Sequence, residues 1–215
     1  MPPKPRQGSP RRPTTSGGAR RLLLGVGAAV ALIAAGLVLW LLVGRSDSGA
    51  AGDDARAVLE AAGCELTIVD VPGDGSDHSV TDPEGVSSAW NTDPPTGGPH
   101  NGATAFYGAY DEPLNQAQVI HNLEHGAAYI YYGSDVSDAT VAQLRAFYDD
   151  HRNGTLLAPY PKLGKKIALG AWNASSGDYE SDEGVLATCT SFDDAAFTAY
   201  FDAFQFKGPE RFSPD

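Results

Sequence analysis

The most constraining feature of this 215-residue chain is an uncharged apolar run at residues 22–43, LLLGVGAAVALIAAGLVLWLLV. A helix of this length rises about 1.5 Å per residue and is roughly 33 Å long, enough to cross a hydrocarbon core of about 30 Å. Residues 1–21 carry six basic residues and no acid, which predicts a cytoplasmic N-terminus. We therefore predict a single-pass protein of the cell membrane, anchored through a transmembrane helix at residues 22–43, with the C-terminal domain outside.

A cleaved signal peptide is the alternative interpretation of the same run. Signal peptides usually contain an apolar region of about 7–15 residues, which is shorter than this one. Small residues follow at 48–51, where a peptidase could cut. The length favours an uncleaved anchor, and the small residues leave cleavage open.

Charge is divided unevenly along the chain. The net charge is −12, and it becomes −18 for the remainder once the six basic residues of the tail are set aside. Binding to phosphate backbones requires clustered Lys and Arg, so the acidic remainder excludes nucleic acid as a partner. The composition of residues 1–21 predicts a disordered basic tail, and residues 44–53 predict a flexible linker.

The remaining sequence, residues 54–212, predicts one extracytoplasmic α+β domain. Apolar spacing and turn residues predict helices at 53–62, 115–125, 138–150 and after Ser191, and strands at 66–71, 127–132 and 167–172. The last helix places four aromatic residues at core spacing: Phe197, Tyr200, Phe201 and Phe204. Helices alternate irregularly with short strands, which indicates a small, mostly antiparallel sheet with packed helices, preceded by a single transmembrane helix.

The chain has two cysteines, Cys64 and Cys189. Both follow the apolar run and so face the predicted oxidising side, where disulfides persist. A Cys64–Cys189 disulfide is the favoured interpretation, and two separate buried thiols are the alternative. The chain has no C-x-x-C motif, which argues against thiol-exchange catalysis.

The stretch HNLEHG at residues 121–126 contains the strongest candidate for chemistry. His121 and His125 are four residues apart and share one face of a helix, the spacing that lets two imidazoles reach one metal ion. Together with Glu124 they match the H-x-x-E-H pattern of zinc proteases, in which the glutamate acts as general base. Gly126 ends the helix at the motif, which weakens that match.

A second candidate is the turn DPPTGGPHNG at residues 93–102, whose prolines and glycines present His100 rigidly. His100, His121 and His125 would supply three nitrogen ligands for Zn²⁺ or Cu²⁺, with Glu124 as a fourth ligand, a base or a hydrogen-bond acceptor. The alternative is structural, with the loop packed on the HNLEHG turn. His78 is expected to be solvated in its loop.

Three stretches resemble a bacterial family catalogued as domain of unknown function 3105. They are DPPTGGPH at 93–100, VIHNLEHGAAYIYY at 119–132 and FKGPERF at 206–212. Members often look like single-span or exported proteins, and the resemblance implies domain limits and location without an activity. The family turn usually has a serine where this chain has Gly97, which argues against a role for a hydroxyl there.

The sequence thus predicts a membrane-anchored extracytoplasmic domain that binds a transition metal through histidines. A metal-dependent hydrolase with Glu124 as general base is the runner-up. A cell-envelope module that binds a protein partner, whose identity the sequence does not indicate, is the third hypothesis.

Overall fold

The computed structural model describes residues 48–210, apart from 74, 76, 82–88 and 175–181. The predicted basic tail and transmembrane run lie outside the described residues. The chain divides into a unit that ends at Ser46 and a unit that begins at Asp47, and the description below concerns the second. Within the described ranges no helix combines the length and apolarity needed to cross a bilayer.

The described residues form four α-helices and six strands. The helices are α1 (Ser48–Ala61), α2 (Gln116–Glu124), α3 (Asp138–Asp150) and α4 (Asp194–Phe204), with a short 3₁₀ turn at Pro161–Leu163. The strands are β1 (Cys64–Asp70), β2 (Gly108–Ala109), β3 (Ala128–Tyr132), β4 (Thr155–Pro159), β5 (Ile167–Ala174) and β6 (Asp182–Cys189).

All six strands belong to one sheet in the order β1-β6-β5-β3-β4-β2. The β1–β6, β6–β5 and β5–β3 pairs are antiparallel, whereas β3–β4 and β4–β2 are parallel. The α+β class is confirmed, and the sheet is mixed: of the five strand pairs in the described residues, three are antiparallel and two are parallel. The parallel part arises because α3 carries the chain back from β3 to the start of β4, as parallel pairing requires.

Most predicted elements are present, and two substantial strands were missed. Strand β4 and strand β6 were not predicted, because their residues are nearly all buried and show no simple apolar–polar alternation. Helix α3 matches its predicted bounds, with Leu144 and Phe147 buried. Helix α4 has the predicted aromatic core stripe, and its N-cap is Asp193, whose side chain accepts a hydrogen bond from the Ala196 amide.

The sheet separates two hydrophobic clusters. We call one side the helical face: it carries Ile130 of β3 and the apolar residues of α1, α3 and α4, such as Leu144 and Phe197. The other side, the loop face, carries Tyr129 and Tyr131 of β3, together with α2 and the loops before it. Successive residues of β3 point to opposite faces, as in any strand, so both faces of this central strand are buried.

The predicted Cys64–Cys189 disulfide is confirmed. The two cysteines lie directly opposite each other in the β1–β6 ladder, and both are buried on the helical face. The bond closes a loop with a sequence separation of 125 and ties the edge strand β1 to the sheet. It therefore joins the beginning of the domain to its last strand.

Candidate metal centre

His100 and His78 are brought together by backbone pairing between two loops. The amide of His100 donates to Asp77 O at 2.7 Å, and the amide of Val80 donates to His100 O at 3.1 Å. Ser79 and Asn101 form an isolated antiparallel bridge. The rings of His78 and His100 are consequently 4.5 Å apart, centroid to centroid. His78, which the sequence predicted to be solvated, instead faces this cluster, with 39% of its side chain exposed.

Helix α2 supplies the opposite wall of the site. Asn115 caps its N-terminus by accepting a hydrogen bond from the Ala117 amide. Asn122 is fully buried, and its amide group both donates to and accepts from the backbone of Ala105 at 2.9 Å. The Asn101 carbonyl accepts from His121 Nδ1 at 2.6 Å. These bonds fix the loop against the helix face that carries His121 and Glu124.

The C-terminal segment closes the third side. Phe206 donates its amide to Gly126 O at 2.7 Å, and Glu210 donates its amide to Glu124 O at 3.0 Å. Gly126 has φ +91°, which ends α2 in a left-handed turn. Gly208 approaches α2 so closely that a Cβ there would lie 2.2 Å from Glu124 O. The segment can therefore dock only with glycine at position 208.

Glu124 is the centre of the cluster. Its Oε2 lies 3.0 Å from His78 Nε2, 3.1 Å from His100 Nε2 and 3.9 Å from His121 Nε2. The side chains of Glu124 and His100 are fully buried, and that of His121 is 12% exposed. Trp172 packs edge-on against the His100 ring at 6.0 Å and closes the site from the sheet side.

Hydrogen bonds orient the imidazoles with Nε2 inward. A carbonyl only accepts, so Nδ1 of His100 donates to Gly98 O at 2.9 Å, and Nδ1 of His121 donates to Asn101 O. In the neutral rings the lone pair then lies on Nε2, the arrangement that metal-binding histidines adopt. Burial lowers the pKa of His121, opposed by its bond to Asn101, and this favours the neutral form that binds metals. Hydrogen bonds from Ser79 lower the pKa of the exposed Asp77 carboxyl beside the cluster.

The geometry sorts the candidate ligands into two groups within the described residues. The first holds His78, His100, His121 and Glu124, whose ligand atoms lie within 4.8 Å of one another. The second holds Glu124, His125 and Glu210 within the same limit. Of the three histidines proposed from sequence, His100 and His121 lie together, and His125 falls in the second group.

Sequence reasoning missed His78 and Glu210 as members of these groups. Both reach the site through backbone hydrogen bonds to segments that are remote in sequence, a loop for His78 and the end of α2 for Glu210, and such bonds leave no local pattern. His151, the fifth histidine, lies elsewhere: it caps α3, and its Nδ1 donates to Phe147 O at 2.8 Å.

Comparison with models of protein families identifies the family of this chain. A family model described as "Protein of unknown function (DUF3105)" matches residues 83–214. The chain belongs to this family. The three stretches that carried the resemblance converge on Glu124: the turn before His100, the helix with HNLEHG and the segment with Gly208. No curated protein and no solved structure matches the chain.

Gly97, which stands where the family turn usually has a serine, is closely packed against Val71. A Cβ at this position would lie 2.6 Å from Cγ2 of Val71. A serine there would require Val71 to shift, and the site itself uses no side chain from position 97.

Proposed function

We propose that this domain binds one transition-metal ion, Zn²⁺ or Cu²⁺, through His78, His100, His121 and Glu124. The observation that carries the proposal is the convergence of three imidazole Nε2 atoms on one buried carboxylate oxygen. Zinc–nitrogen bonds of about 2.0–2.1 Å at tetrahedral angles hold ligand atoms about 3.3 Å apart. The contacts of 3.0 and 3.1 Å, and the longer one of 3.9 Å, lie on either side of that spacing.

A metal accounts for the arrangement better than a structural ion pair. One carboxylate needs one imidazolium partner, and burying further charge costs free energy that packing must offset. Here three rings surround the same oxygen, and two of them have Nδ1 committed to backbone carbonyls. Nitrogen donors plus one carboxylate match the preference of zinc and copper.

The position of Glu124 favours a ligand over a general base. Its Oε2 lies among the nitrogen atoms that would bind the ion, and its side chain has no exposed surface. A base must instead reach a water molecule that faces the substrate. This supports metal binding without turnover as the function, ahead of the hydrolase.

We further propose that the domain works outside the cell membrane. Support comes from the apolar run at residues 22–43, the basic flank before it, and the Cys64–Cys189 disulfide, since disulfides persist in oxidising compartments. The ion would then be bound in the cell envelope, on a domain held at the membrane.

The metal proposal is tested on the full chain purified in detergent without a histidine tag or chelator. Elemental mass spectrometry is expected to find zinc or copper in the wild type and a large loss in His100→Ala. His151→Ala is the matched control, because this histidine caps α3 and should leave the metal content unchanged. Equal metal content in wild type and His100→Ala, or no metal even after reconstitution with either ion, would overturn the proposal.

A further inference from the structure

A second group of ligand atoms adjoins the first. Glu124, His125 and Glu210 bring their ligand atoms within 4.8 Å of one another, and His125 Nε2 lies 4.0 Å from Glu210 Oε2. The two groups share Glu124. His125 is 14% exposed and Glu210 is 48% exposed, so the second group lies nearer the solvent than the first.

The backbone holds this second group in place. Nδ1 of His125 donates to Glu210 O at 3.1 Å, and the amide of Glu210 donates to Glu124 O at 3.0 Å. The same residues that could bind an ion are thus cross-linked by main-chain hydrogen bonds. His125 has Nδ1 committed to a carbonyl, as His100 and His121 do, and its Nε2 faces both His121 Nε2 and the Glu210 carboxylate.

The contact between His121 and His125 links the two groups. Their Nε2 atoms are 2.9 Å apart, and their rings stack with centroids at 4.8 Å. The two groups are therefore in direct contact through these imidazoles as well as through the shared Glu124.

We propose that Glu124, His125 and Glu210 bind a second divalent transition-metal ion, and that Glu124 bridges it to the first. This inference rests on the proposed metal function and extends it from one ion to two. Paired metal ions in proteins lie about 3.5–4 Å apart, a spacing that one bridging carboxylate spans. One imidazole and two carboxylates suit zinc and also harder divalent ions such as manganese.

The different burial of the groups predicts an order of binding. The first ion is held by buried side chains and is expected to survive gel filtration. The second lies against partly exposed side chains and is expected to exchange more readily. Zinc should therefore bind in two steps, with the weaker step belonging to His125 and Glu210.

The experiment counts zinc on the full chain in detergent. The protein is stripped with chelator, equilibrated with increasing free Zn²⁺ and analysed by elemental mass spectrometry. Wild type is expected to reach two zinc ions per chain, and Glu210→Gln and His125→Gln are expected to stop at one. Glu112→Gln, which makes the same change at an exposed acidic residue of the loop before α2, should reach two.

The outcomes separate this inference from the function beneath it. One zinc in the wild type and in all variants would overturn the second ion and leave the proposed function standing. Two zinc ions in Glu210→Gln and in His125→Gln would also overturn it, since the second ion would then lie elsewhere. No zinc in the wild type would overturn both.

Loading with Cu²⁺ supplies an independent readout of the bridge. Two copper ions joined by one carboxylate couple magnetically, so the electron paramagnetic resonance signal should account for less copper than elemental analysis finds. Glu210→Gln should restore the full signal per bound copper. A full uncoupled signal from wild type with two copper ions bound would contradict bridging by Glu124.

Discussion

The two faces of the sheet are built in different ways. On the helical face, apolar side chains from three amphipathic helices pack on alternate residues of the strands, and the disulfide lies among them. On the loop face, buried Asn122 and His100 are held by hydrogen bonds to the backbone of the loops, and His100 contacts Glu124 of α2. The first face therefore supplies mainly stability, and the second holds the proposed metal site. Changes on the two faces should accordingly have separable effects on unfolding and on metal binding.

The largest expected effect is on the helical face. Replacing both cysteines, Cys64→Ser with Cys189→Ser, should lower the free energy of unfolding by up to about 5 kcal/mol, because the bond closes a long loop. Urea denaturation with and without reductant measures the loss. Protein that remains folded should bind as much metal as wild type, and a loss of metal in folded protein would break the proposed separation of the faces.

Truncating a core side chain on the helical face should also lower the free energy of unfolding. Phe197 is fully buried, and Phe197→Ala is expected to cost about 3–5 kcal/mol in unfolding free energy. Phe106 is 89% exposed, and Phe106→Ala should change stability by about 0.5 kcal/mol or less. Thermal unfolding of both variants checks the pair. Equal effects would mean that the helical face is not the principal core.

On the loop face, one backbone change should affect both stability and metal. Gly126 has φ +91°, and a Cβ there would lie 2.9 Å from Phe206 Cα. Gly126→Ala should cost about 1–3 kcal/mol from strain and should weaken zinc binding by displacing the C-terminal segment. Gly73→Ala is the control, because no atom lies within 4 Å of its added Cβ. Unchanged zinc affinity in Gly126→Ala would show that the segment does not position the site.

The smallest effect is expected from His78, the most exposed residue of the first group. His78→Ala leaves His100, His121 and Glu124, three ligands that suffice for zinc with a water molecule. We expect about a tenfold rise in the Kd for zinc, equivalent to about 1.4 kcal/mol, and little change in stability. Competition with a chromophoric chelator measures it. If His78→Ala lost as much zinc affinity as His100→Ala, all four ligands would have to contribute equally to binding.

The same contrast explains how much of the structure could be predicted from the sequence. The helical face depends on local periodicity, and so α3 and the aromatic stripe of α4 were predicted nearly as they are. The disulfide followed from the small number of cysteines. By contrast, β4 and β6 are defined by their partners in the ladder, and their buried residues show no alternation.

The site was predicted in part for the same reason. HNLEHG is a local pattern, and the rigid turn before His100 is another, so three of the four first-group ligands were named as candidates. His78 joins them only because residues 77–80 pair with residues 100–101. Glu210 joins the second group only because Gly208 permits close docking on α2. The sequence around His78 and the sequence around Glu210 contain no local pattern that indicates either contact.

Anomalous diffraction at the zinc edge, from crystals of the protein grown with zinc, tests the central claim most directly. The account predicts a peak bounded by Nε2 of His78, His100 and His121 and by Oε2 of Glu124, with bonds of about 2.0–2.2 Å. A second, weaker peak beside His125 and Glu210 would support the paired site. No peak among the first four atoms, with zinc present in the crystal, would contradict the account and leave the cluster as a structural turn.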